Sequence, residues 1–79
     1  MQSHLKEQLS RAASSVALNL AEGRGKRTQK DQARFFQIAF GSVRECQAIL
    51  ILADLNDSPV WKTLDVLAAH LYRLIERAG

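Results

Sequence analysis

A single cysteine, Cys46, leaves this chain of 79 residues without any intramolecular disulfide. The lone thiol stands among apolar neighbours and reads as a small core hydrophobe, with neither the setting of a nucleophile nor that of a metal ligand. Proline occurs once and glycine four times, so long stretches carry nothing that would interrupt a helix. Long hydrophobic runs are missing too. The longest, Ala48 to Ala53, is six residues, far below the roughly 20 that a membrane span needs. The opening Met1-Gln-Ser-His-Leu-Lys-Glu7 is polar and unlike an export leader. A cytoplasmic protein with no membrane partner is the expectation. Strand-like alternation, internal repeats and low-complexity tracts are also lacking.

What is present is a local excess of positive charge. Arg24, Lys26, Arg27, Lys30 and Arg34 fall within eleven residues that contain only Asp31 as an acid, while the other six cations and seven acids nearly cancel. Basicity therefore marks one end of the molecule. A chain this short buries only about 60% of the surface that its unfolded form exposes, so outside help with stability is expected.

The apolar periodicity predicts an all-α chain, a single domain over residues 1–79 with helices at about 3–22, 28–55 and 58–78. Leu5, Leu9, Ala12, Ala13, Val16 and Leu20 recur every three or four residues in the first. Gly23 and Gly25 are expected to stop it in a left-handed turn. Thr28 and Asp31 suggest a variant capping box for the second helix. That helix carries apolar residues on nearly all sides in its second half, and neighbours must then cover it all round. Ser58-Pro59 suits an N-cap followed by a first helical position, and Val60 to Ala78 holds an apolar stripe.

Short connections make the helices antiparallel neighbours. If the first turn centres on Gly25, residue numbers adding to about 50 lie level. Ala12 and Ala13 then fall near Ile38, Leu9 near Gly41, Ser15 near Arg34 and Asn19 near Asp31. Close backbone packing is the expected reason for Gly41, since glycine inside a helix costs about 1 kcal/mol relative to alanine.

Candidate chemistry is sparse. The stretch Glu22-Gly-Arg-Gly-Lys-Arg-Thr28 fails as a phosphate loop, because Leu20 stands where the first glycine belongs and Arg27 follows Lys26. A dinucleotide fingerprint fails at Thr28. Two readings stay open for the basic stretch: an ordinary turn with solvated cations, or a slim loop whose cations meet nucleic-acid phosphates. Inward-facing Glu-x-x-His pairs are absent, so neither metal nor cofactor is expected. His4 and His70 read as surface or boundary residues, and Ser14, Ser15 and Ser42 have no histidine within a helical turn to activate them. Catalysis is not expected. Ser15, Asn19 and Glu22 share one face of the first helix, and Arg34, Ser42 and Glu45 one face of the second. They suggest a hydrogen-bonded network that fixes register, or less simply a ligand site.

Two signatures carry a family resemblance, Asn19-Leu-Ala-Glu-Gly23 and Ile38-Ala-Phe-Gly-Ser-Val-Arg-Glu45, within the longer runs Gln8 to Gly23 and Arg34 to Cys46. The chain resembles the four-helix-bundle proteins of bacterial 23S rRNA intervening sequences, a family that includes the accessory variability protein of diversity-generating retroelements. The resemblance implies an antiparallel bundle, here with three helices and without the family's first, assembled as a homo-oligomer, a pentamer in the family. It further implies RNA or DNA, and a reverse transcriptase or other protein, as partners. Carried over by position, Arg24, Lys26, Arg27, Lys30 and Arg34 are the candidate nucleic-acid contacts. The leading expectation is a non-enzymatic accessory factor; a structural protein-interaction module with no nucleic-acid role is the alternative.

Overall fold

The computed structural model describes residues 1–78. Three helices account for nearly all of it: α1 (Ser3–Arg24), α2 (Gln29–Leu52) and α3 (Pro59–Ala78), with no strand among the described residues. The starts of α2 and α3 follow the predicted N-caps at Thr28 and Ser58. Thr28 is extended, and its Oγ1 accepts the Asp31 N–H at 3.2 Å, which satisfies one donor that the first turn leaves open. Ser58 Oγ accepts the Trp61 N–H at 3.4 Å, and Pro59 takes the first helical position.

The helix ends differ from expectation. Gly23 does not stop α1 but lies within it, and Gly25 closes the helix at φ −85, on the right-handed side, where its N–H reaches the carbonyls of Ala21 and Glu22 at 3.2 Å. No described glycine has a positive φ. The left-handed residue is instead Asp54, at φ 58. The Leu55 N–H donates to Leu50 O at 2.8 Å and the Asp54 N–H to Ile51 O at 3.0 Å. Those paired bonds form a Schellman closure, and they end α2 at Leu52, short of the expected Leu55.

α2 is the shared partner. It packs against both α1 and α3, while no Cα of α1 comes within 8 Å of one in α3. The result is a flat body of 40 × 20 × 13 Å. One apolar cluster joins Val16 to Phe36, Ala39 and Val43 of α2 and to Ala68 and Leu71 of α3; a second joins Leu5 and Ala12 to Cys46 and Ile49. By length and composition α2 is apolar enough to cross a membrane, a property that no single run of its sequence displays. Yet 44% of its most apolar window is buried inside the molecule, which fits a helix flanked by two others.

The α1–α2 register also departs from the expected pairing. Ser15 lies opposite Ser42, their hydroxyl oxygens 2.7 Å apart, so α2 is displaced by roughly two helical turns from the level that put Ser15 beside Arg34. The cause is at the turn. α1 continues through Gly23, and a Cβ there would stand 2.7 Å from Phe36 Cε1 and 3.2 Å from Phe35 Cβ. The absent side chain thus serves packing at Gly23. Gly41 has no such reason, since its missing Cβ would meet nothing within 4 Å.

These two glycines predict opposite outcomes. Gly23→Ala drives a methyl against the buried Phe36 ring and should lower stability by about 1–3 kcal/mol. Gly41→Ala on the open face should raise helix stability by up to about 1 kcal/mol. Urea unfolding followed by circular dichroism measures both, and equal effects at the two sites contradict the packing described.

Candidate nucleic-acid interface

The turn between α1 and α2 holds Lys26 in a defined place. The Lys26 carbonyl accepts the Gln32 side-chain amide at 3.1 Å, and the Lys26 N–H reaches Gly23 O at 3.2 Å. Lys26 Nζ stands 3.6 Å from Glu22 and 5.0 Å from the centre of the Phe35 ring. The Arg34 guanidinium lies 5.6 Å from the same ring. The Phe35 ring thus has two positive charges within 6 Å of its centre, an arrangement that its quadrupole favours. Arg24, Arg27, Lys30 and Arg34 are exposed, and Lys26 is half-buried.

Sequence spacing did not reveal what joins this end from the far side of the chain. A cleft is lined by Lys30, Ala33, Arg34, Gln37 and Ala78, so the last turn of α3 reaches the first turns of α2. Arg77, in that last turn, is carried to the same end. The signal was available only through the up-down-up topology.

The predicted polar network forms in part. Ser15 and Ser42 meet as described, and Asn19 Nδ2 donates to Ser15 O at 2.8 Å and to Ser15 Oγ at 3.1 Å. Glu22 turns outward to Lys26, and Glu45 is exposed. Arg34 and Asp31 are exposed as well, apart from the Ser15 and Asn19 partners expected of them. The three residues that do meet serve register, each hydroxyl or amide finding a partner across or along the helices.

A second polar group was missed. Gln47 is 3% exposed, yet both polar atoms of its carboxamide have a partner: Arg44 Nη1 donates to Oε1 at 2.6 Å, and Nε2 donates to Asp65 Oδ1 at 2.7 Å. This chain of bonds ties α2 to α3. Arg44 also approaches Asp65 at 3.4 Å, both side chains about half exposed, an ion pair worth less than about 1 kcal/mol in such surroundings. Gln47 sits in an otherwise apolar stretch, and its neighbours' hydrophobicity hid it.

Among the described residues no group of three or more His, Cys, Asp or Glu could hold a metal ion. Cys46 is buried in the second apolar cluster. Burial pushes its thiol pKa above the ordinary 9.0, and the nearby Glu45 charge pushes in the same direction. A thiolate there is disfavoured, so Cys46 is not an activated nucleophile.

The chain matches the family model described as 23S rRNA-intervening sequence protein over residues 1–76. No curated protein and no solved structure matches it.

The Cys46 setting makes a pH prediction. Because the folded state holds the thiol proton more tightly than the unfolded state, stability is unaffected well below pH 9 and falls as pH rises above the ordinary thiol value. Cys46→Ala should remove that alkaline slope, whatever it costs in packing. Thermal melts between pH 7 and pH 10 compare the slopes, and an unchanged alkaline slope in Cys46→Ala excludes the thiol as its source.

Proposed function

We propose that this chain, which belongs to the 23S rRNA-intervening sequence protein family, is a non-enzymatic accessory factor that meets RNA or DNA through its basic end. The observation that carries this reading is the concentration of Arg24, Lys26, Arg27, Lys30 and Arg34 at one end of a body whose remaining charge nearly cancels. Exposed cations at the end of a rigid helical pair can neutralise neighbouring phosphates without reading base sequence, and such contacts release counterions. Binding is then sequence-tolerant and falls steeply with salt.

Assembly belongs to the same proposal. Leu18, Ile38, Ile51, Leu52, Val60 and Val66 are each about half or more exposed, more apolar surface than a solitary small domain favours. A homo-oligomer, five-fold as the resemblance implies, covers such faces and sets several basic ends side by side, multiplying weak phosphate contacts. The family resemblance adds a reverse transcriptase or another protein as a further partner, and the short apolar runs of the sequence support the cytoplasm as the compartment.

The exposed apolar residues also support the other reading, a purely structural protein-interaction module. Here Lys26, already engaged by Glu22 and Phe35, and its neighbours are merely solvated. Charge reversal separates the two. In Arg24→Glu/Lys26→Glu/Arg27→Glu, duplex binding measured by fluorescence anisotropy should weaken sharply. The slope of log K against log salt should become shallower by roughly 0.9 for each phosphate that is no longer neutralised. Absence of salt-dependent binding by the unaltered protein at low ionic strength rules out the nucleic-acid role. A lone folded protomer in micromolar sedimentation runs rules out the assembly.

A further inference from the structure

Two clefts lie along the α2–α3 junction. The first holds Lys30, Arg34 and Gln37 opposite Ala78. The second, of about 290 Å³, holds Phe40 and Arg44 opposite Tyr72 and Arg73, with Ala68 and Ala69 as its small-residue floor. On α2 the residues Lys30, Arg34, Gln37, Phe40 and Arg44 recur every three or four positions, so the two clefts lie along one ridge and together make up the α2–α3 groove, with exposed Glu76 of α3 between them. Lys30 to Arg44 spans about 21 Å at 1.5 Å per residue.

The chemistry of that groove is specific. Lys30, Arg34, Arg44 and Arg73 are its cations, and Asp65 is the one carboxylate lining either cleft. Asp65 is already engaged, since Gln47 and Arg44 both donate to its Oδ1. Flat surfaces lie between the charges. Tyr72 is 55% exposed, and the Arg44 guanidinium lies over the Phe40 ring, 5.3 Å from its centre.

We infer that the α2–α3 groove is a binding track for single-stranded nucleic acid, with phosphates on Lys30, Arg34 and Arg73 and an unpaired base stacked on Tyr72. The inference rests on the nucleic-acid role proposed above and adds the form of the ligand and its path. Cations that follow a backbone, interleaved with aromatic faces, are the elements by which single strands are held without sequence preference. In a duplex the base faces are hidden in the stack, so Tyr72 has nothing to meet there; in a single strand they are free. At about 3.4 Å per stacked nucleotide, the groove accommodates roughly six.

The test uses the full chain and two labelled probes in anisotropy titrations, a 12-nucleotide oligouridylate and an RNA duplex of the same length. Tyr72→Ala should weaken the single strand by about fivefold or more, leave its salt slope unchanged and spare the duplex. Tyr72→Phe should keep the unaltered affinity, because the stacking face survives. Arg73→Gln should reduce the single-strand salt slope by about 0.7, the value for one phosphate. Circular dichroism melts confirm that these exposed substitutions keep the fold. If Tyr72→Ala binds the single strand as tightly as the unaltered protein, while reversal at Arg24, Lys26 and Arg27 still abolishes binding, the groove is overturned and the basic end stands. An equal loss on duplex and single strand overturns the single-strand assignment. If neither probe binds the unaltered protein, both readings fall together.

Discussion

Packing of α2 against two helices whose backbones stay more than 8 Å apart is the constraint on which this molecule depends. Seven of the twelve buried hydrophobic residues belong to α2, and both apolar clusters pass through it. α1 and α3 each bury a narrow stripe, from Leu5 to Val16 in one and from Ala68 to Leu71 in the other. A helix that must satisfy two neighbours over different arcs becomes apolar over much of its circumference. That double duty explains the composition of α2, and it leaves the outer flank, with Gly41 and Leu52, facing outward.

Polar contacts decide how the neighbours are aligned. Ser15 and Ser42 join α1 to α2, and Gln47 joins α2 to Asp65 of α3. Each pair lies at or near the buried seam, where a slip of one turn leaves donors without acceptors. Apolar stripes alone tolerate such slips, because leucine and alanine make similar contacts at many levels. The register is thus specified by a handful of hydroxyls and amides.

Helix number, the caps at Thr28 and Ser58, and the buried state of Cys46 were legible in the sequence, since each follows from a local pattern. The ends and levels were less so. Asp54 took the left-handed position that glycine usually signals, and Gly23, assigned to a turn, proved to be a packing residue beneath Phe36. A glycine does not announce whether its backbone freedom or its missing side chain is needed. With the turn placed too early, every pairing across α1 and α2 was displaced. The basic cluster was visible as a run of residues, whereas Arg77, the half-exposed Tyr72 and the groove between α2 and α3 required knowing which helix lies beside which.

The separation of α1 from α3 bears on how the chain reaches its native state. All of its close backbone pairings join helices adjacent in sequence, so only short loops must close and little chain entropy is spent before the helices meet. Either hairpin can nucleate first, with α2 as template, and the remaining outer helix can zip on afterwards. The same topology runs in reverse: an outer helix can fray while the opposite pair stays docked, giving two independent routes of partial opening in a molecule of three helices.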